Sequence, residues 1–208
     1  MPPVLRGVRL YDGISHRTRV CRRARSEHLR WNIRDHARDH CIQGSGSLTS
    51  SHPLPAEILE EAYDLALQAD LSGEVPVGAL VVELSTLKIV GRGKNEIISR
   101  KDPTAHAELL AIREACAHFQ SERMLPSVLV STLEPCTLCT GAILFARVAE
   151  VQYFTPVLSG AGIVRLLDQF GTSYNHRPLL THIESHQEKA RQILISFFER
   201  KRARIPEV

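Results

Sequence analysis

Two short motifs, far apart in the chain, constrain the fold more than any other feature of the sequence. His106-Ala107-Glu108 and Pro135-Cys136-Thr137-Leu138-Cys139 each open a predicted helix. Two thiolates and one imidazole are good zinc ligands, and three protein ligands leave the fourth tetrahedral position open. Helix N-termini favour negative charge, which helps to keep the two thiols ionised. The fold must therefore bring the two helix starts together around one Zn²⁺ ion, with His106, Cys136 and Cys139 as ligands.

A closed structural zinc site with four protein ligands is the alternative to this open site. Cys116 lies on the same predicted helix as His106, roughly 15 Å away at a rise of about 1.5 Å per residue, and cannot complete the site. Further thiols are available only from Cys21 and Cys41, in the N-terminal segment. The sequence therefore favours the open site.

Glu108 follows His106 by two positions, so its carboxylate points in a different direction from the imidazole and need not bind the metal. From there it can act as a general base toward a water molecule beside the metal. An acidic residue in a first helical turn also stabilises the helix through its dipole, which is the simpler explanation for this residue alone. Together with the three ligands, Glu108 is the predicted catalytic residue.

The composition is typical of a globular domain in a reducing compartment. Of the 208 residues 43% are hydrophobic and 24% are charged, which is normal for a chain that buries a core. No apolar run approaches the roughly 20 residues of a membrane span, and the start of the chain lacks the apolar stretch of a secretory signal. Five cysteines with one closely spaced pair indicate metal ligation rather than a disulfide framework. We therefore expect a cytoplasmic protein that does not contact a membrane.

Residues 1–52 differ from the rest of the chain in charge and pattern. They hold 10 Arg and 4 acidic residues, whereas residues 53–208 hold 16 basic and 19 acidic residues. The segment shows no sustained periodicity and ends in a Gly-Ser-rich stretch. We predict a disordered cationic tail over 1–52 and a folded domain over 53–208. An RNA-binding arm, a transit peptide and an assigned start too far upstream are the alternatives for the tail.

The folded part shows helical and strand patterns in alternation. Apolar residues recur at helical spacing from Ala56, and Gly73 follows as a stop signal. Strands are predicted over 75–83, 88–96, 127–132 and 150–155, and further helices over 105–118, 136–147, 163–170 and 185–201. This order predicts one α/β domain in which helices cover a central mixed sheet.

The motif pair His-x-Glu and Pro-Cys-x-x-Cys is the signature of zinc-dependent nucleobase deaminases. Further stretches extend the likeness: Glu74-Val75-Pro76-Val77-Gly78-Ala79, Asp102-Pro103-Thr104-Ala105-His106-Ala107-Glu108, Thr132-Leu133-Glu134-Pro135-Cys136, Asn175-His176-Arg177 and Phe197-Phe198-Glu199-Arg200. On these residues the chain resembles the cytidine and deoxycytidylate deaminase superfamily over residues 57–202. Within that superfamily it is most similar to the bacterial tRNA adenosine deaminases.

The resemblance implies a cytidine-deaminase-like three-layer fold, a central mixed sheet flanked by helices, and one Zn²⁺ per subunit. It implies hydrolytic deamination of adenosine to inosine at the tRNA wobble position, by a zinc-activated water with Glu108 as proton shuttle. The base must then be turned out of the anticodon loop to reach the site. The tRNA anticodon loop is the implied partner, and a homodimer is implied because deaminases of this type commonly self-associate.

The same resemblance implies further site residues. Asn95 matches the family asparagine that hydrogen-bonds the nucleoside, although Asn is also common in turns after strands. Val77, Pro76 and the backbone of Ala107 would line the base pocket. Glu134 matches a family position beside the ligand cysteines, and both a catalytic and a structural role are open for it.

The last predicted helix ends in a basic run that includes Arg200, Lys201 and Arg202. These side chains can hold RNA phosphates. Cations at this position also stabilise a helix C-terminus against its dipole, so both interpretations stay open.

Two departures from the family pattern concern the substrate. Thr155-Pro156-Val157-Leu158-Ser159-Gly160 stands where the tRNA enzymes have a polar loop, and Val157 cannot accept a hydrogen bond from a ribose hydroxyl. Phe145 stands where that family often has His. A deaminase of a free base or nucleoside, of the guanine or cytosine type, is therefore the alternative function. A non-catalytic subunit that binds RNA or a partner is a third function, and the presence of Glu108 counts against it.

Overall fold

The structure is a computed structural model that describes residues 51–124, 126–157 and 162–203. Its centre is a five-stranded sheet in the order β2-β1-β3-β4-β5. The strands are β1 (Gly78–Glu83), β2 (Lys88–Lys94), β3 (Ser127–Leu133), β4 (Glu150–Thr155) and β5 (Leu179–His182). β1 pairs antiparallel with β2 and β3, whereas β3, β4 and β5 run parallel. The predicted mixed sheet is confirmed.

Helices cover both faces of this sheet. They are α1 (Ala56–Leu71), α2 (Ile97–Arg100), α3 (Ala107–Phe119), α4 (Thr137–Phe145), α5 (Ile163–Phe170) and α6 (Glu184–Ala203). α1 and α6 pack on one face, and α3, α4 and α5 lie on the other. This is the three-layer arrangement that the resemblance implied. None of the described helices is both long and apolar enough to cross a membrane.

Alternate residues of the central strands enter two separate apolar cores. On β1, Ala79 and Val81 pack into the core beneath α3 and α4, while Leu80 and Val82 pack into the core beneath α1 and α6. All four side chains are 0% exposed. Because both faces are covered, this strand has a continuous apolar sequence instead of an apolar–polar alternation.

Two glycines on β2 let α3 approach the sheet closely. A β-carbon at Gly93 would lie 2.0 Å from the carbonyl oxygen of Ala107, and one at Gly91 would lie 2.2 Å from that of Ala111. Both distances are far below van der Waals contact, so only glycine fits at this spacing. Because Ala107 directly follows His106, the contact also sets the position of the start of α3.

The structure adds elements that were not predicted, including a short 3-10 helix over Gly171–Ser173, and it shifts several predicted bounds; the second strand, for example, ends at Lys94 and not at residue 96. β5 was not predicted, because it has only four half-buried residues at the sheet edge. The single turn α2, between β2 and α3, was not predicted either. The first strand begins at Gly78 and not at residue 75, since the N–H of Val77 bonds the carbonyl of Val75 (2.8 Å) in a tight turn. α3 begins at Ala107 and not at residue 105, since His106 is extended, with φ −74° and ψ 147°.

The first described residues bond to the buried amino end of β4. Glu150, which is 1% exposed, accepts hydrogen bonds from the backbone N–H of His52 (3.1 Å) and from the hydroxyl of Thr181 (2.9 Å). The side chain of Gln152 donates to the carbonyl of His52 (2.7 Å). Residues 1–50 of the predicted tail lie outside the described residues, and the domain boundary at residue 53 stays a prediction.

We expect Gly93→Ala to lower the free energy of unfolding by about 1–3 kcal/mol, the usual cost of overpacking a tight contact. Urea denaturation followed by circular dichroism measures the change. Gly171→Ala is the matched control, because its φ of −58° suits alanine and the nearest atom to the new β-carbon is an Arg177 guanidinium nitrogen 3.4 Å away. Equal stabilities of the two variants would contradict the close packing of α3.

Candidate metal centre and active site

The three predicted metal ligands lie at the starts of two helices. His106 precedes α3, and Cys136 precedes α4 with φ −73° and ψ 178°. Cys139 is buried in the first turn of α4. Because β3 ends at Leu133, the carboxyl end of a central strand delivers the cysteine motif to the start of α3.

The donor atoms of these ligands form a nearly equilateral triangle. Nδ1 of His106 lies 3.7 Å from Sγ of Cys136 and 3.7 Å from Sγ of Cys139, and the two sulfurs are 3.6 Å apart. Tetrahedral zinc with Zn–S bonds of about 2.3 Å and Zn–N bonds of about 2.05 Å requires separations of about 3.8 Å between sulfurs and about 3.6 Å between sulfur and nitrogen. The donor set therefore fits Zn²⁺ at the observed spacing.

Within the described ranges, these three side chains are the only group of His, Cys, Asp or Glu placed to share a metal ion. Cys116 instead lies with its sulfur 3.9 Å from the carbonyl oxygen of Glu122. Cys21 and Cys41, the other thiols considered for a fourth ligand, lie outside the described residues. The described ligand set thus has the composition of a catalytic zinc site, which keeps one coordination position open.

Hydrogen bonds prepare one sulfur for metal binding. The thiol of Cys139 and the imidazole of His106 donate to the sulfur of Cys136 and lower the pKa of Cys136 to about 3. The hydrogen bond to Cys136 also raises the pKa of Cys139, which keeps the proton of the pair. The hydrogen bond between the His106 ring and the Cys136 sulfur raises the pKa of His106. Since cysteine binds metals as a thiolate, Cys136 is in its ligating form at neutral pH.

The turn before α3 orients the His106 ring. The carbonyl of Pro103 accepts a hydrogen bond from that ring. Because Nδ1 faces the sulfurs, Nε2–H is the donor to this carbonyl, and a metal at Nδ1 would replace the proton that Nδ1 otherwise shares with Cys136. The turn itself is held by Asp102, whose Oδ1 accepts from the backbone N–H (2.8 Å) and the hydroxyl (2.7 Å) of Thr104. A carbonyl on the second ring nitrogen fixes the tautomer and the ring plane of a metal-binding histidine.

Glu108 lies in the first turn of α3 and is 4% exposed. Burial raises the pKa of its carboxyl, and a hydrogen bond with the thiol of Cys139 brings that carboxyl to the metal ligands. A carboxyl whose pKa is moved toward neutrality can both accept and release a proton. This environment suits the acid–base role predicted for Glu108.

The four residues predicted to hold the nucleoside lie next to the segment that carries His106. Asn95 directly follows β2, and its backbone N–H bonds the carbonyl of Val77 (3.0 Å). Its side chain is 4% exposed. Val77 and Ala107 belong to the same apolar cluster, and Pro76 is also buried. A role for these four residues in binding the nucleoside stays a prediction.

The three C-terminal cations make three different contacts. Arg200 forms an ion pair with Asp70. The Nζ of Lys201 lies 5.3 Å from the centre of the Phe197 ring. Arg202 borders a cavity of about 620 Å³ between the carboxyl ends of β3 and β4 and helix α6.

That cavity is mainly apolar and is separate from the metal ligands. Its lining includes Val157 from the segment after β4 and Phe198 from α6, which is 45% exposed. Arg191 and Gln187 also line it, and neither was singled out by sequence. They were missed because nothing in the local pattern of α6 distinguishes them from ordinary surface residues.

Sequence reasoning also missed a buried glutamate that holds the segment between β2 and α3. Glu74 is 1% exposed and accepts hydrogen bonds from the backbone N–H groups of Ile98 (3.0 Å) and Ser99 (2.7 Å). Burial acts to raise its pKa, but these N–H bonds lower it overall. The sequence feature that could have pointed to Glu74 is an acidic residue directly before the apolar Val75-Pro76-Val77 stretch. Glu134, whose role was left open, is buried in the same way and bonds the ends of another loop.

Comparisons with known proteins agree with this site. Residues 55–155 match the family described as the cytidine and deoxycytidylate deaminase zinc-binding region. The tRNA-specific adenosine deaminase of Haemophilus influenzae is 35% identical over 146 residues, covering 70% of this chain and 84% of that protein. The protein of the same name from Aquifex aeolicus is 35% identical over 150 residues, which cover 71% of this chain and 95% of that protein.

Solved structures give the same result for the fold. One comes from work on A-to-I editing by tRNA:A34 deaminases at the wobble position of transfer RNA. It has a TM-score of 0.61 and 33% identity, and covers 67% of this chain and 100% of that one. A guanine deaminase from Nitrosomonas europaea has a TM-score of 0.60 at 16% identity, and the match covers 71% of this chain and 86% of that one. This structure shares the fold.

Proposed function

Because the chain belongs to the family of zinc-dependent cytidine and deoxycytidylate deaminases, we propose that it converts adenosine to inosine at the wobble position of a tRNA anticodon. The observation that carries the proposal is the three-ligand metal centre with the buried carboxyl of Glu108 beside it. Relatives named tRNA-specific adenosine deaminase, 35% identical over most of both chains, support adenosine in tRNA as the substrate.

Glu108 moves the protons in this reaction. Bound zinc supplies a water whose pKa is lowered toward neutrality. A carboxylate oxygen of Glu108 accepts a proton from the attacking water and passes it to N1 of the adenine, while the water oxygen bonds to C6. Glu108 then transfers the proton of the new hydroxyl to the amine at C6, the C6–N bond breaks, and ammonia leaves.

The base binds beside α3 in the proposed complex. The amide of Asn95 hydrogen-bonds the nucleoside, and Val77, Pro76 and the backbone of Ala107 contact the base. All four residues are buried, and Val77 and Ala107 belong to one apolar cluster. The wobble base itself must leave the anticodon stack to reach this pocket.

The C-terminal end of α6 supplies positive charge for the RNA backbone. Lys201 and Arg202 make no ion pair with a described residue, so their charges are available to phosphates. Arg200 is paired with Asp70, but a pair of two partly exposed side chains is weak and a phosphate can compete for the arginine.

A deaminase of a free base or nucleoside remains the second candidate. The observation that favours it is the apolar side chain of Val157, which lines the cavity where a polar contact to RNA was expected. A non-catalytic subunit is disfavoured by the buried carboxyl of Glu108 at the metal ligands.

A second copy of the chain is the proposed protein partner. Leu138 and Phe145 are 45% and 84% exposed and lie seven positions apart, on one face of α4. A β-carbon at Gly141, between them, would meet no atom within 4 Å. An exposed apolar stripe of this kind is typical of an interface.

We place the dimer in the cytoplasm, where reducing conditions keep the ligand thiols free.

We expect Glu108→Gln to bind zinc normally and to lose about 10²–10⁴-fold in turnover, because the amide cannot take up a proton. Metal analysis and ammonia release on the RNA substrate measure the two effects. Glu114→Gln, on the same helix but exposed, is the matched control and should keep at least half of the activity. Full activity of Glu108→Gln would remove the proton-shuttle role.

The substrate is tested with an arginine-tRNA anticodon stem-loop that has A at the wobble position. We expect inosine at that position and no ammonia from free adenosine, guanine, cytosine or cytidine. The matched control is the same stem-loop with G at the wobble position, which should be inert. Turnover of a free base with an inert stem-loop would establish the second candidate function and leave the zinc chemistry unchanged.

The partner is tested by light scattering on the purified chain. We expect a dimer mass for the wild type and a monomer mass for Phe145→Glu, since a charge in an apolar interface disfavours association. Leu71→Glu is the control, because Leu71 is 87% exposed at the end of α1, outside the α4 face. A monomeric wild type, or a dimeric Phe145→Glu, would contradict this interface.

A further inference from the structure

We propose that Glu134 is a positioning residue of the metal centre, whose carboxylate holds the backbone around the ligand Cys136. The side chain is 5% exposed. Oε2 accepts a hydrogen bond from the N–H of Val157 (2.9 Å), and Oε1 accepts one from the N–H of Val164 (3.0 Å). Each oxygen thus holds one of two chain segments, the first directly after β4 and the second at the start of α5.

Backbone contacts place Cys136 between the same two segments. On one side, the N–H of Glu134 bonds the carbonyl of Thr155 (2.8 Å). On the other side, the N–H of Ile163 bonds the carbonyl of Pro135 (2.9 Å), and Cys136 pairs with Gly162 in an antiparallel bridge. The ligand is therefore held by a short backbone ladder.

The carboxylate occupies space that the neighbouring backbone leaves for it. A β-carbon at Gly162 would lie 2.2 Å from Oε1 of Glu134, so any side chain at this position would displace the carboxylate. Gly162 is the residue that pairs with Cys136. The side chain of Glu134 and the backbone of the ligand are thus coupled through one close contact.

Both carboxylate oxygens accept hydrogen bonds from backbone N–H groups, and these bonds hold the chain on either side of the ligand Cys136. Hydrogen bonds to an ionised carboxylate are roughly twice as strong as neutral ones, which suits them to hold two segments. Groups that orient metal ligands from outside the coordination shell typically change metal affinity by about 10-fold to 100-fold. Glu134 acts on the metal through Cys136 in this way.

The test is the zinc affinity of the full chain, measured by competition with a chromophoric chelator. Glu134→Gln keeps the shape of the side chain but presents an NH₂ group to one of the two N–H donors. We expect zinc to bind about 10-fold more weakly or worse. The matched control is Glu150→Gln, an equally buried glutamate at the opposite end of β4, which bonds His52 and Thr181.

Both variants should lower the melting temperature, because each leaves a buried donor without its acceptor. Only Glu134→Gln should change the zinc affinity, and the control should stay within about twofold of the wild type, since Glu150 lies outside the network around the metal. Equal zinc affinities of Glu134→Gln and Glu150→Gln would overturn the proposal and leave Glu134 with a purely structural role.

A second variant keeps the test decisive if Glu134→Gln does not fold. Gly162→Ala pushes the carboxylate aside without removing its charge and should weaken zinc binding to a similar extent. Normal zinc affinity of a folded Gly162→Ala would overturn the proposal. No RNA enters either measurement, so a chain that proves inactive on the stem-loop would leave this inference unaffected.

Discussion

The close contact between β2 and α3 determines where the site can form. Gly93 leaves no side chain between the strand and the carbonyl of Ala107, so the start of α3 lies directly against the sheet. His106 precedes this contact, and its ring meets the two sulfurs at the carboxyl end of β3. A larger residue on β2 would displace the helix and break the metal triangle, whose donor separations leave little tolerance for zinc.

Three buried glutamates hold segments of the chain in place, two of them beside this centre and one at the amino end of β4. Glu74 bonds the short helix between β2 and α3, Glu134 bonds the segments on either side of the ligand Cys136, and Glu150 bonds the first described residues. A buried carboxylate is costly unless its oxygens are satisfied, and backbone N–H groups satisfy them here. Through Glu74 and Glu134, the segments next to the metal ligands are therefore held in place.

The metal triangle and the apolar cavity occupy different parts of the molecule. The metal ligands and the predicted acid–base residue Glu108 lie at the starts of α3 and α4. The cavity lies at the edge formed by the segment after β4 and by α6, where Val157 and Phe198 border it. The two regions are linked through Glu134, whose Oε2 accepts a hydrogen bond from the N–H of Val157.

The sequence by itself identified the three metal ligands and the three-layer class, because each depends on residue type and short spacing within one motif or one periodic element. It also singled out Glu108 and Asn95, but not that both side chains are only 4% exposed. Only the tertiary structure decided the strand order with β5 at the edge, the separate contacts of Arg200 and Arg202, and the hydrogen bonds of Glu134. The physical reason is that these features depend on groups distant in the chain, which local patterns do not encode.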